Sequence, residues 1–141
     1  MHELITRADA FYRYKQATGG VPDEMTGLLK IDLSQYRHLE PLAFTSEGRT
    51  FWCTANAQIW PRSLNTIIGG FSDGIYLIVA DLNSPSGKGL DFVLGLTFLE
   101  RFYAVYDSSD GSVSLATTPY TSAITNWWDD LVWRADMSSD M

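Results

Sequence analysis

The stretch Phe92-Val93-Leu94-Gly95-Leu96-Thr97-Phe98-Leu99-Glu100-Arg101-Phe102-Tyr103-Ala104-Val105-Tyr106-Asp107 divides into an apolar run, a glycine, a short polar kink and a second apolar-aromatic run. Phe92-Val93-Leu94 has the pattern of a short strand buried on both faces, and Gly95 lets the backbone turn sharply after it. Phe98-Leu99 suits one helical turn. Residues 102–106 then alternate aromatic and aliphatic side chains of high strand propensity. Asp107-Ser108-Ser109-Asp110-Gly111 reads as a turn into a further strand, Val113-Ser114-Leu115-Ala116. Strand, kink and hairpin form one unit, and it predicts a β-rich fold.

Working outward, 141 residues suit one domain, and 45% hydrophobic with 13% aromatic content suffices for a core. The net charge of -7 argues against a nucleic-acid partner, because phosphate neutralisation needs a basic surface. No apolar run is long enough to span a bilayer, and Met1-His2-Glu3-Leu4-Ile5 lacks the basic start and apolar core of a secretory signal. The single cysteine, Cys53, lies in a strand-like run and reads as packing, since a thiol nucleophile needs a neighbouring base. His2 and His38 offer no spacing for such a pair, and no Cys-x-x-Cys, His-Glu-x-x-His or glycine-rich phosphate loop occurs. No metal or cofactor is expected.

Along the chain, Thr6 is placed to cap a helix over residues 7–17, which Gly19-Gly20 ends. Phe11 shares a face of it with Tyr14 or Lys15, so the helix should pack on something. Residues 27–32 read as a strand, and Ser34 as the cap of a short turn through Leu39. Residues 41–45 and 49–54 read as a hairpin around Ser46-Glu47-Gly48. Ala57-Gln58-Ile59-Trp60 reads as a strand edge ended by Pro61. Residues 75–80 are the most β-prone run and should lie in the core; residues 83–89 read as a loop. Mostly short strands with one early helix predict a mainly β domain.

With these elements in order, Leu94-Gly95, Phe98-Leu99, Phe102-Tyr103 and Val105-Tyr106-Asp107 resemble the closing motif of the pepsin-like aspartic protease family. The likeness is greatest to its polyporopepsin-type branch of basidiomycetes. Tyr14-Lys15-Gln16-Ala17-Thr18-Gly19, Thr54-Ala55-Asn56-Ala57-Gln58-Ile59-Trp60-Pro61-Arg62 and Tyr76-Leu77-Ile78-Val79 with Ala80-Asp81-Leu82 support it, so that about residues 7–121 follow the family's order. Many pepsin-like enzymes have an aspartate after the glycine; Leu96 stands there, which fits that branch. The resemblance implies a partial C-terminal lobe of the bilobal pepsin-like fold over residues 1–121, with Gly95, Phe98, Leu99, Tyr103 and Asp107 as its structural motif. It also implies polypeptide substrates for an intact enzyme, in a family usually secreted or vacuolar.

In such a family two aspartates, one per lobe and each within Asp-Thr-Gly or Asp-Ser-Gly, hold a water and share a proton. Both cannot ionise at close range, so one serves as base and the other as acid at low pH. Neither motif occurs in this sequence. The family's early helix closely follows the second motif, and here Met1 stands a few residues before that helix; the first lobe and the start of the second are expected to be missing, and no residue is assigned a catalytic role. The only Asp-Gly pairs, Asp73-Gly74 and Asp110-Gly111, read as tight hairpin turns.

Residues 122–141 outrun the resemblance. They form a tryptophan-rich acidic tail in which Thr125 can cap a helix over residues 126–136, with Trp128, Leu131, Val132 and Ala135 on one face. Such a helix would cover surface on its own lobe, or dock a partner; its acidic polar face disfavours a membrane surface. The chain is then either part of an aspartic endopeptidase, inactive alone, or a non-catalytic binding protein that uses the lobe surface and the tail. A partial lobe should also present an open sheet edge through which copies self-associate.

Overall fold

The computed structural model describes residues 4–6, 8–46, 48–81 and 92–123. The loop expected at 83–89 and the tail helix expected at 126–136 lie outside them. Within the described residues the chain is mainly β, with three short α-helices and two 3-10 helices. The strands are β1 (Leu4–Thr6), β2 (Val21–Pro22), β3 (Leu29–Ile31), β4 (Leu42–Ser46), β5 (Arg49–Cys53), β6 (Ile75–Leu77), β7 (Val79–Asp81), β8 (Phe92–Leu94), β9 (Phe102–Asp107) and β10 (Ser112–Thr117). They form two three-stranded sheets, β7-β1-β8 and β2-β3-β6, and two hairpins, β4-β5 and β9-β10. In the first sheet β1 runs parallel to β7 and antiparallel to β8.

The early helix, α1 (Ala8–Thr18), starts after β1, so Thr6 is a strand residue rather than its cap. Gly19 ends it as expected: at φ +71° its N–H donates to the Lys15 carbonyl at 3.0 Å. Phe11 and Tyr14 turn inward onto the core. The short helix α2 (Leu33–Arg37) is capped by Asp32, not Ser34. The Gln35 N–H donates to Asp32 at 2.7 Å while the Gln35 side chain accepts from the Asp32 N–H at 2.8 Å. This reciprocal box satisfies two end groups at once, which a serine inside the first turn does not do.

Residues 75–79 of the run expected at 75–80 are buried, Tyr76 and Leu77 completely, and Ala80 is half-buried. It is not one strand. Ile78 donates its N–H to the Gln58 carbonyl at 2.9 Å, and the chain passes there from one three-stranded sheet to the other. The strand edge expected at 57–60 is instead a 3-10 helix, Asn56–Gln58, followed by a single bridge from Ile59 to Leu77. A second 3-10 helix spans Arg62–Ile68. Asp73-Gly74 joins that helix to β6 and is not a hairpin turn. Gly74 matters for space: a Cβ there would lie 2.6 Å from the Tyr76 ring. Gly111 is the true hairpin glycine, at φ +70° between β9 and β10.

Three packed clusters make the core. Leu28, Trp60, Tyr76, Ile78 and Val79 form one, and Leu29, Ile31, Ile59, Ile75 and Leu77 a second. The third, Cys53, Ala57, Phe98 and Phe102, lies under the two hairpins. No helix among the described residues is long and apolar enough to cross a membrane.

Candidate functional site

The glycine-centred stretch builds a corner. β8 ends at Leu94, and the carbonyl of the buried Gly95 after it accepts from the N–H groups of Phe98 and Leu99, both at 3.1 Å, and so starts helix α3 (Leu96–Leu99). The turn points Phe98 inward, where it stacks on Phe102 at 4.5 Å between ring centroids. Phe51 meets Phe102 edge-on at 5.6 Å, and Phe44 meets Phe98 at 6.1 Å. Such aromatic pairs add about 0.5–1.5 kcal/mol each beyond their buried area. Gly95, Phe98 and Leu99 are thus brought together. Tyr103 and Asp107 are not: Tyr103 is exposed on β9, and Asp107 ends that strand.

Arg101, which the motif reading passed over, organises this corner. It is 3% exposed, and its guanidinium donates to the carbonyls of Tyr120 at 3.2 Å and Ala123 at 2.7 Å and to the Asn56 side-chain oxygen at 2.6 Å. Its own carbonyl accepts from the hydroxyls of Thr118 and Thr121. Burial lowers its pKa, opposed by the charge of Glu100 beside it. The sequence signal was an arginine set between apolar runs, a residue type almost never fully buried unless partnered. Gln58 plays a matching part. It is 1% exposed, accepts from the Tyr14 hydroxyl at 2.9 Å and donates to the carbonyls of Glu40 and Cys53. Helix α1 is thereby tied to β5.

The chemistry that these groups support is structural. Burial pushes the Cys53 thiol up to about 11, away from the thiolate a nucleophile needs. Asp23, Asp107 and Asp110 are held below the usual carboxylate range by hydrogen bonds from Thr26, Ser109 and Ser112, respectively. In a pair of carboxyls that shares a proton one pKa is raised, and none of these three is. These three are turn caps. No group of three or more His, Cys, Asp or Glu able to hold a metal occurs among the described residues.

Several grooves open on the surface of the described residues. One, of about 630 Å³, is lined by Asp23, Lys30, Asp32, Arg62 and Asp73 among others. A second, of about 540 Å³, runs past Tyr14, His38, Glu40 and Gln58. A third, of about 620 Å³, lies between the two hairpins, along Arg49, Phe51, Trp52 and Leu115.

Comparison with known proteins finds a likeness to an aspartic protease. No protein-family model matches the chain. It is, however, 59% identical over 122 residues to polyporopepsin of Irpex lacteus, a pepsin-like aspartic protease, across 86% of this chain and 36% of that protein. The crystal structure of aspartic proteinase from Irpex lacteus superposes with a TM-score of 0.85 at 56% identity, covering 88% of this chain and 36% of the other. The fold matches a mainly β, partial pepsin-like lobe. The chain spans about a third of the length of the relatives it matches.

Proposed function

We propose that the chain is a portion of the C-terminal lobe of a pepsin-like aspartic endopeptidase: residues 1–121 belong to the lobe and residues 122–141 form an added tail. The observation that carries this is the 59% identity to polyporopepsin over 122 residues, coupled to the buried Gly95 corner in the family's closing motif. Gly95, Phe98, Leu99, Tyr103 and Asp107 serve as scaffold. Gly95 and the strand before it support a catalytic loop, and the reacting carboxylates come from elsewhere, since this sequence holds neither Asp-Thr-Gly nor Asp-Ser-Gly. A dyad needs two close carboxyls whose repulsion keeps one protonated. Without them the chain binds no activated water and hydrolyses no peptide bond by itself; an intact enzyme of this kind acts on polypeptides at acidic pH.

The β9-β10 hairpin has no further strand on either side among the described residues and exposes Tyr103, Val105, Tyr106 and Val113. That edge is where copies of the chain would associate. A non-catalytic binding role is the second reading, favoured by the exposed Trp52 and the three tryptophans of the tail.

Incubating the purified chain with a denatured protein substrate at acidic pH, with and without pepstatin, tests the proposed inactivity. No cleavage above background is expected. Pepstatin-sensitive cleavage would overturn the proposal.

A further inference from the structure

The groove at the β2-β3-β6 sheet joins two kinds of surface. Its buried lining is apolar: Ile31 and Ile75 are partners across β3 and β6 and are 3% and 4% exposed. Its outer lining is acidic, with Asp32 and Asp73 exposed and Asp23 half-buried. Asp23 accepts from the Thr26 N–H at 2.9 Å and Asp32 from the Gln35 N–H at 2.7 Å. An ionised carboxylate accepts at about four sites, so each keeps room for a further donor. The two cations of the groove are turned to the protein itself. Lys30 holds its ammonium 5.1 Å from the centre of the Phe71 ring, and the buried Arg62 donates to the Asp73 carbonyl at 3.3 Å.

We propose that this groove docks a polypeptide segment through a lysine or arginine side chain. Such a side chain lays an apolar methylene stem along apolar surface and carries its charge at the tip. Ile31 with Ile75 suits the stem, and the three aspartates suit the tip. An acidic segment would meet like charge, and a bare metal ion would leave the apolar lining unused. Phe71, 64% exposed beside Lys30, gives a neighbouring apolar residue of the segment a contact. Hydrogen bonds from Thr26 hold the Asp23 carboxyl below the usual range, so its charge persists into the acidic conditions in which an intact enzyme of this kind acts. The site rests on the reading that polypeptides are what this lobe meets, but it needs no catalysis by this chain.

Fluorescence anisotropy of a short dye-labelled peptide, a phenylalanine flanked by lysines, titrated with the full chain at about pH 6 tests it. The same peptide with glutamate in place of each lysine is the comparison. Saturable binding of the lysine peptide alone is expected. Asp73→Lys should weaken that binding about tenfold, whereas Asp110→Lys, an equal change of charge at the β9-β10 turn, should alter it by no more than about twofold. Asp32→Asn should also weaken it several-fold, while the asparagine still caps α2. Equal losses in Asp73→Lys and Asp110→Lys would mark attraction to the net charge of the chain and overturn the proposal, as would the absence of saturable binding. Since no cleavage is read, such a failure leaves the protease reading standing, and the pepstatin assay tests that reading separately.

Discussion

Arg101 shows how much of this lobe hangs on single buried polar groups. Replacing it by alanine leaves the carbonyls of Tyr120 and Ala123 and the oxygen of Asn56 without the donor they use. Each unsatisfied buried acceptor costs about 1–3 kcal/mol, partly relieved by entering water, so Arg101→Ala should destabilise by about 2–4 kcal/mol in urea unfolding. A loss below about 0.5 kcal/mol, the scale of an ordinary surface substitution, would show that the guanidinium is not a hub. Cys53 supplies a chemical check. As a residue 5% exposed whose thiol is shifted up to about 11, it should react with iodoacetamide near pH 8 far more slowly in the native than in the urea-unfolded chain. Equal rates would contradict the packing role.

At the scale of elements, the hairpin β9-β10 carries a pH signature at its turn. Asp107 accepts from the Ser109 N–H at 2.9 Å and from its hydroxyl, which holds the carboxyl below its ordinary value. A depressed folded pKa contributes stability that is complete above the unfolded value, about 3.9, and is lost as pH falls through the folded one. Asp107→Asn should therefore be less stable than the parent at about pH 6, with the gap closing below about pH 4. A thermal-unfolding gap unchanged at about pH 2 would sink this assignment. These strands were legible because period-2 alternation and the Asp-Ser-Ser-Asp-Gly turn are local signals. The split of 75–81 between two sheets was not, because it depends on Ile78 meeting the distant Gln58 carbonyl. The 3-10 turn at Asn56–Gln58 was missed for a similar reason: its side chains are engaged by Arg101 and Tyr14, far away in sequence. The corner at Gly95, Phe98 and Leu99 could be read as a motif, whereas the Arg101 network that steadies it could not.

At the scale of the whole molecule, the chain holds a packed partial pepsin-like lobe and covers 36% of polyporopepsin. Its three clusters, two three-stranded sheets and glycine corner form a scaffold, while the described carboxylates with lowered pKa values serve turns. The proposed division of labour places support in this chain and acid-base chemistry outside it. Transplantation tests that division most directly: the 122 matched residues of polyporopepsin are replaced by those of this chain, and the purified chimera is assayed for proteolysis at acidic pH. The expected result is pepstatin-sensitive cleavage by the chimera. A soluble, cooperatively folded chimera that cleaves nothing would contradict it.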